Sequence, residues 1–102
     1  MNSVAHHPEA LEELAEAIEY YLEHATSEIA VNFDNAVDAG IVEIAQSPLR
    51  FSRWRNTRAR KYVVPDFPYV IFYIDYPEYI RVLAIAHTSR RPGYWKTRIA
   101  VD

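Results

Sequence analysis

Apolar residues recur along this chain at two different spacings, and the change between them divides it. Leu11, Leu14, Ile18, Tyr21 and Leu22 follow one another at mostly three- and four-residue steps, which aligns them as one stripe of an α-helix. Glu12, Glu16, Glu19 and Glu23 lie between them as a solvated face. Pro8 suits the first helical position, where its missing N–H would be unpaired anyway. Glu9, Glu12 and Glu13 put negative charge in the early turns, where the helix dipole favours it. This helix is predicted to end near His24 to Thr26. A second begins at Ser27, read as its cap, and its stripe is Ile29, Phe33, Ala36, Val37, Ile41 and Ile44. Gly40 costs about 1 kcal/mol against alanine inside it and offers a close approach to the first helix. Pro48 ends the run. With so few polar residues between them, the two helices form an antiparallel hairpin.

After Pro48 the period changes. "LRFSRWRNTRA" has no clear period and reads as a loop leading into a strand, "RKYVV", which Pro65 closes. "FPYVIFYIDY" and "EYIRVLAIAH" are rich in β-branched and aromatic residues and flank turn chemistry around Pro77, so they pair as a hairpin. On the first, Val70, Phe72 and Ile74 share a face opposite Tyr69, Ile71 and Tyr73. On the second, strict alternation sets Ile80, Val82, Ala84 and Ala86 against Arg81, Leu83, Ile85 and His87. Both faces are largely apolar, so the helical hairpin covers one and something else partly covers the other. Met1 to His6, short and weakly alternating, is a candidate first edge strand. The fold class is α+β, with helices on one face of an antiparallel sheet.

Composition adds limits. The 102 residues suit a single domain, 1–102, and half of them are apolar with 14% aromatic, enough for a genuine core. There is no cysteine, which excludes disulfides and thiolate metal sites. No apolar run approaches the ~20 residues of a membrane span, and the first residues lack the regions of a signal peptide. A cytosolic protein is expected. Charge changes the picture more. Residues 1–49 hold ten carboxylates and no lysine or arginine; residues 50–102 hold all eleven basic residues and four acids. The halves carry −10 and +7, for a net −3. Either the fold has an acidic and a basic face, the latter attracting a polyanion or acidic partner, or the halves neutralise each other.

The chemistry-bearing residues cluster in "HTSRRPGYW", residues 87–95. Histidine is a common proton-transfer residue, and His87 suits either that role or a strand-end role ordering the next turn. Arg90 and Arg91 point to opposite sides in extended chain, one toward an anion or partner carboxylate. Tyr94 and Trp95 suit stacking on a base, at about 1–3 kcal/mol each, or a lid over the uncovered sheet face. The lid is assigned to Trp95, and Tyr94 is left with both readings. Trp54, between Arg53 and Arg55, suits nucleic acid, an acidic peptide, or a solvated loop with one anchoring indole. His6 and His7 lack a third ligand at helical spacing, so no zinc site is expected. No glycine-rich phosphate loop or nucleophile elbow occurs, and no cofactor is expected.

"RKYVVPDFPYVIFYIDYPEYIRVLAIAHTSRRPGYW" resembles the signature of the RelE/ParE toxins, the stable halves of type II toxin–antitoxin modules (plasmid-stabilisation proteins). The matches are Phe67-Pro68-Tyr69 opening a strand, "IRVLAIAH", and His87, Arg90, Pro92, Tyr94 and Trp95 after it. His6-Pro8-Glu9-Ala10 resembles the family's "HPEA" start. The resemblance implies a short strand, a helical hairpin and an antiparallel sheet of three or four strands. It also implies a cognate antitoxin that wraps and silences the toxin. Some members poison DNA gyrase, while others cleave mRNA on the ribosome without a metal. In the cleaving branch arginine and lysine hold the scissile phosphate, with a tyrosine or histidine assisting. Here Val70 follows "FPY", where those members carry arginine, and Asp66 stands where many carry a base. Both departures favour ParE-like inhibition by binding over cleavage; a non-toxic relative that still binds antitoxin is the third reading. Arg60, Arg90 and Tyr94 match the motif best. His87, Arg90 and Tyr94 are the catalytic candidates, and Arg60, Arg90, Arg91, Tyr94 and Trp54 the binding candidates.

Overall fold

The computed structural model describes residues 2–100; Met1 of the expected first strand, Val101 and Asp102 lie outside the described residues. The elements run β1 (Val4–His6), α1 (Pro8–His24), α2 (Ser27–Gln46), β2 (Arg60–Val63), β3 (Tyr69–Asp75), β4 (Ile80–His87) and a 3-10 turn (Lys96–Ala100). The sheet order is β1-β4-β3-β2. The antiparallel trio β2–β3–β4 is as expected, while β1 joins parallel to β4, making the sheet mixed. No helix among the described residues is long and apolar enough to cross a membrane.

Local chemistry explains the helix ends. Pro8 opens α1, and the buried His7 caps it, its Nδ1 accepting from the Glu9 N–H at 3.1 Å. Thr26, not Ser27, caps α2: its hydroxyl accepts from the Ile29 N–H, leaving Ser27 as the first helical residue. The buried stripe of α1 is Ala10, Leu14, Ala17, Ile18 and Tyr21. Leu11 and Leu22, assigned to it from spacing, are 51% and 53% exposed, because each lies one residue step, about 100°, past Ala10 and Tyr21 near the centre of the stripe and so falls beyond its flank. Gly40 approaches the sheet rather than α1. A Cβ there would lie 2.5 Å from Tyr62 Cε1, on β2.

The central strands are buried on both faces, which is why they read as near-continuous apolar runs. Between α1, α2 and the sheet lies the larger core, with Phe33, Val37, Ile44, Tyr62, Ile71 and Tyr73 among its members. Phe72, Ile74, Ala84 and Ala86 form the opposite face. Strict alternation along β4 fails at one point. Phe72 pairs with Ala84 and Tyr73 with Val82, so Leu83 is the extra residue of a bulge. Ile80 and Val82 therefore face the helices, while Ala84 and Ala86 face away.

Candidate functional site

Past β4 the chain turns back across the sheet face that the helices leave open. His87 sets the turn, its Nδ1 accepting from the Ser89 N–H at 3.0 Å. Gly93, at φ 77°, continues it. A Cβ at Gly93 would meet the Trp54 ring at 2.9 Å, so glycine's permissive backbone and missing side chain both serve here. Trp95 is then delivered onto the sheet: it is 1% exposed, stacks on Phe72 at 4.5 Å and meets Trp54 edge-on at 5.0 Å. The lid reading of Trp95 holds. Trp54 anchors the 47–59 loop against the same cluster and carries the Arg55 guanidinium over its ring at 4.4 Å.

Between this lid and β2 lies a cleft of about 230 Å³. Val70, Phe72 and the two tryptophans supply its apolar walls, and Lys61, Arg90 and Arg91 its charge. No acidic residue lines it among the described residues. The structure thus brings together Trp54, His87, Arg90, Arg91, Tyr94 and Trp95. Arg60 is not among them. It donates to the Phe51 carbonyl at 2.7 Å and pairs in register with Tyr73, whose ring faces the helices. One residue on, Lys61 reaches the cleft instead, as alternation requires. Arg90 and Arg91 sit in a turn rather than in extended chain, and both line the cleft.

The proton-transfer candidates are committed elsewhere. Tyr94 donates its hydroxyl to Glu13 Oε2 at 2.6 Å. Burial first, then the Glu13 hydrogen bond and charge, push its pKa well above the usual tyrosine value, so this phenol is harder to ionise than an exposed one. His87 uses Nδ1 as an acceptor, which places the proton of the neutral ring on Nε2. Arg90 lies over the Tyr94 ring at 3.8 Å, a geometry that fixes the direction of its guanidinium. The cleft therefore offers one oriented cation, Arg90, two further basic side chains and aromatic surface. Among the described residues, no His, Asp and Glu side chains converge as metal ligands.

Two residues outside every expectation complete the site. Glu13, with a side chain only 12% exposed, accepts from the Ile85 N–H, the Tyr94 hydroxyl and both terminal nitrogens of Arg98. Arg98 is itself buried and also donates to the Leu83 carbonyl at 2.9 Å. Its burial opposes the charge, but the Glu13 hydrogen bonds and the Glu13 and Glu9 carboxylates outweigh that and raise its pKa. Glu13, placed by the sequence only as an early-turn charge, is thus a part-buried carboxylate held against the sheet edge. It sits three residues after buried Ala10 and four before buried Ala17, a spacing that marks the covered face.

Comparison with known proteins adds the family. The family model described as the ParE toxin of the type II toxin–antitoxin system parDE matches residues 4–92. Among solved structures, the chromosomal ParDE toxin–antitoxin system from P. aeruginosa superposes with a TM-score of 0.75 at 15% identity. The match covers 85% of this chain and 96% of that one, and at such low identity it speaks to the fold alone. No curated protein matches the sequence. Two helices packed on a sheet whose short first strand pairs with β4, together with a family match over most of its length, place this chain in the ParE toxin family of type II toxin–antitoxin systems.

Proposed function

We propose that this chain, residues 1–102 acting as one domain, is a cytoplasmic toxin silenced by a cognate antitoxin, and that it arrests growth by binding DNA gyrase. The observation that carries the reading is the commitment of Tyr94 and His87 to structural hydrogen bonds, beside an Arg90 guanidinium held over the Tyr94 ring. Cleavage of RNA without a metal needs a group to accept the 2′-hydroxyl proton. The Tyr94 phenol is bound and protonated, and the His87 acceptor nitrogen is occupied. Val70 supplies apolar wall where the cleaving branch carries arginine.

Lys61, Arg90 and Arg91 suit carboxylates on a partner, through charge-assisted contacts that are stronger than neutral ones. An antitoxin segment with acidic side chains docking on this face accounts for both the charge and the apolar walls. The similar fold of a solved ParDE system supports such a partner. Inducing the protein alone, while following growth, RNA integrity and plasmid supercoiling together, tests the proposal. Arrest with altered supercoiling and intact RNA is expected. RNA fragmentation, arrest at unchanged supercoiling, or the absence of arrest would each contradict it.

A further inference from the structure

Strand β1 pairs with β4 only at Ile80, Arg81 and Val82. Beyond that point the outer edge of β4 has no strand beside it among the described residues, and side chains take the strand's place. The Leu83 carbonyl at the bulge accepts from Arg98 Nη1, and the Ile85 N–H donates to Glu13 Oε1 at 3.0 Å. The two side chains then bind each other in a bidentate pair, both distances being 3.0 Å. Arg98 Nε lies 3.2 Å from Glu9, which adds a second α1 carboxylate. Residue 98 is beyond the family match, which ends at 92, so half of this arrangement belongs to the chain's own C-terminal turn.

The pair is also joined to the cleft. Tyr94 donates to Glu13, and its ring has the Arg98 guanidinium at 5.2 Å and that of Arg90 at 3.8 Å. We propose that Glu13 and Arg98 are positioning residues for the cleft: a latch on the outer edge of β4 that holds Tyr94, and through its ring Arg90, in the wall that contacts gyrase. This rests on the reading of the cleft as a contact surface. The latch explains why an arginine that never reaches the cleft is buried with its charge intact. It also explains why two carboxylates of the acidic helix, Glu13 and Glu9, turn toward the sheet edge.

Amide hydrogen exchange and inhibition of supercoiling by purified DNA gyrase test the latch in the full chain, comparing the parent with Arg98→Lys and Glu13→Gln. Lysine loses the bidentate geometry. Glutamine keeps the shape but cannot accept from all its donors, and serves if Arg98→Lys fails to fold. Exchange across residues 88–99 is expected to quicken roughly ten- to a hundredfold, the factor for one lost hydrogen bond to a charged group. β3 and α2 should keep the parent's protection, and inhibition should weaken by a similar factor. Unchanged exchange in 88–99 would overturn the proposal. So would equal loss of protection throughout the molecule, which marks a merely structural pair, or full inhibition despite a loosened segment. If the parent itself leaves gyrase untouched, the gyrase reading fails and the exchange pattern alone decides the latch.

Discussion

Trp95 stacks between the sheet and the Trp54 loop with almost no exposed surface. Trp95→Ala removes the lid and leaves a cavity lined by Phe72 and Trp54, which should cost on the order of 3 kcal/mol or more. A thermal melt checks this, and an unchanged midpoint would mean that the indole packs less tightly than described. That role was legible in the sequence, because two apolar faces on one strand demand two covers. The turn-ordering reading of His87 was legible for a similar reason, a polar ring at the end of a buried strand. Glu13 was harder to see, since a glutamate on an acidic helix reads as solvated until its neighbours' burial is known. Arg98 gave no signal, because its meaning depends on a carboxylate 85 residues away.

At the scale of elements, α2 depends on one missing methyl group. The Tyr62 ring rests against Gly40, and its hydroxyl donates to Glu43 at 2.7 Å, which fixes the ring in place. Gly40→Ala gains about 1 kcal/mol of helix propensity, but overpacking costs about 1–3 kcal/mol. A net loss of roughly 1 kcal/mol is expected in denaturant melts; a gain would show that the ring yields. Spacing located the helices, the hairpin and the three antiparallel strands. The bulge at Leu83 escaped it, since period-two alternation carries no mark of an inserted residue and the bulge is set by pairing with β3. Asp66 departs from the family's basic residue at a position where φ is 66°, a conformation that aspartate tolerates better than most side chains.

Over the whole molecule, the opposed charges of the two halves are arranged by face. The helices present most of their carboxylates to solvent, and among the described residues the cleft on the other side of the sheet is lined by basic residues without an acid. Neutralisation between halves is local, at Arg98 with Glu13 and Glu9 and at Arg50 with Glu43. The buried tyrosines give a second global property. Burial pushes Tyr62 and Tyr73 up to about 12, with the Glu43 hydrogen bond adding to the shift at Tyr62. A phenol that holds its proton longer when folded contributes stability that is fully present below pH 10 and lost as pH rises through about 12. Denaturant midpoints should therefore fall across that window; a flat profile would mean that these hydroxyls ionise as freely as in the unfolded chain.

The central claim is that the cleft works by contact rather than by proton transfer, and a pair of variants under induction tests it most directly. Arg90→Ala removes an oriented cation and should abolish growth arrest. Tyr94→Phe loses the hydroxyl bond to Glu13 but keeps the ring on which Arg90 rests, so arrest should weaken no further than in Glu13→Gln and should persist. A catalytic tyrosine would behave otherwise, since removing a proton-transfer group typically forfeits ~10²–10⁴ in rate. Arrest that survives Tyr94→Phe and fails in Arg90→Ala, with RNA intact throughout, is expected of a cleft that works by contact. RNA fragments in the parent that vanish in Tyr94→Phe would contradict it.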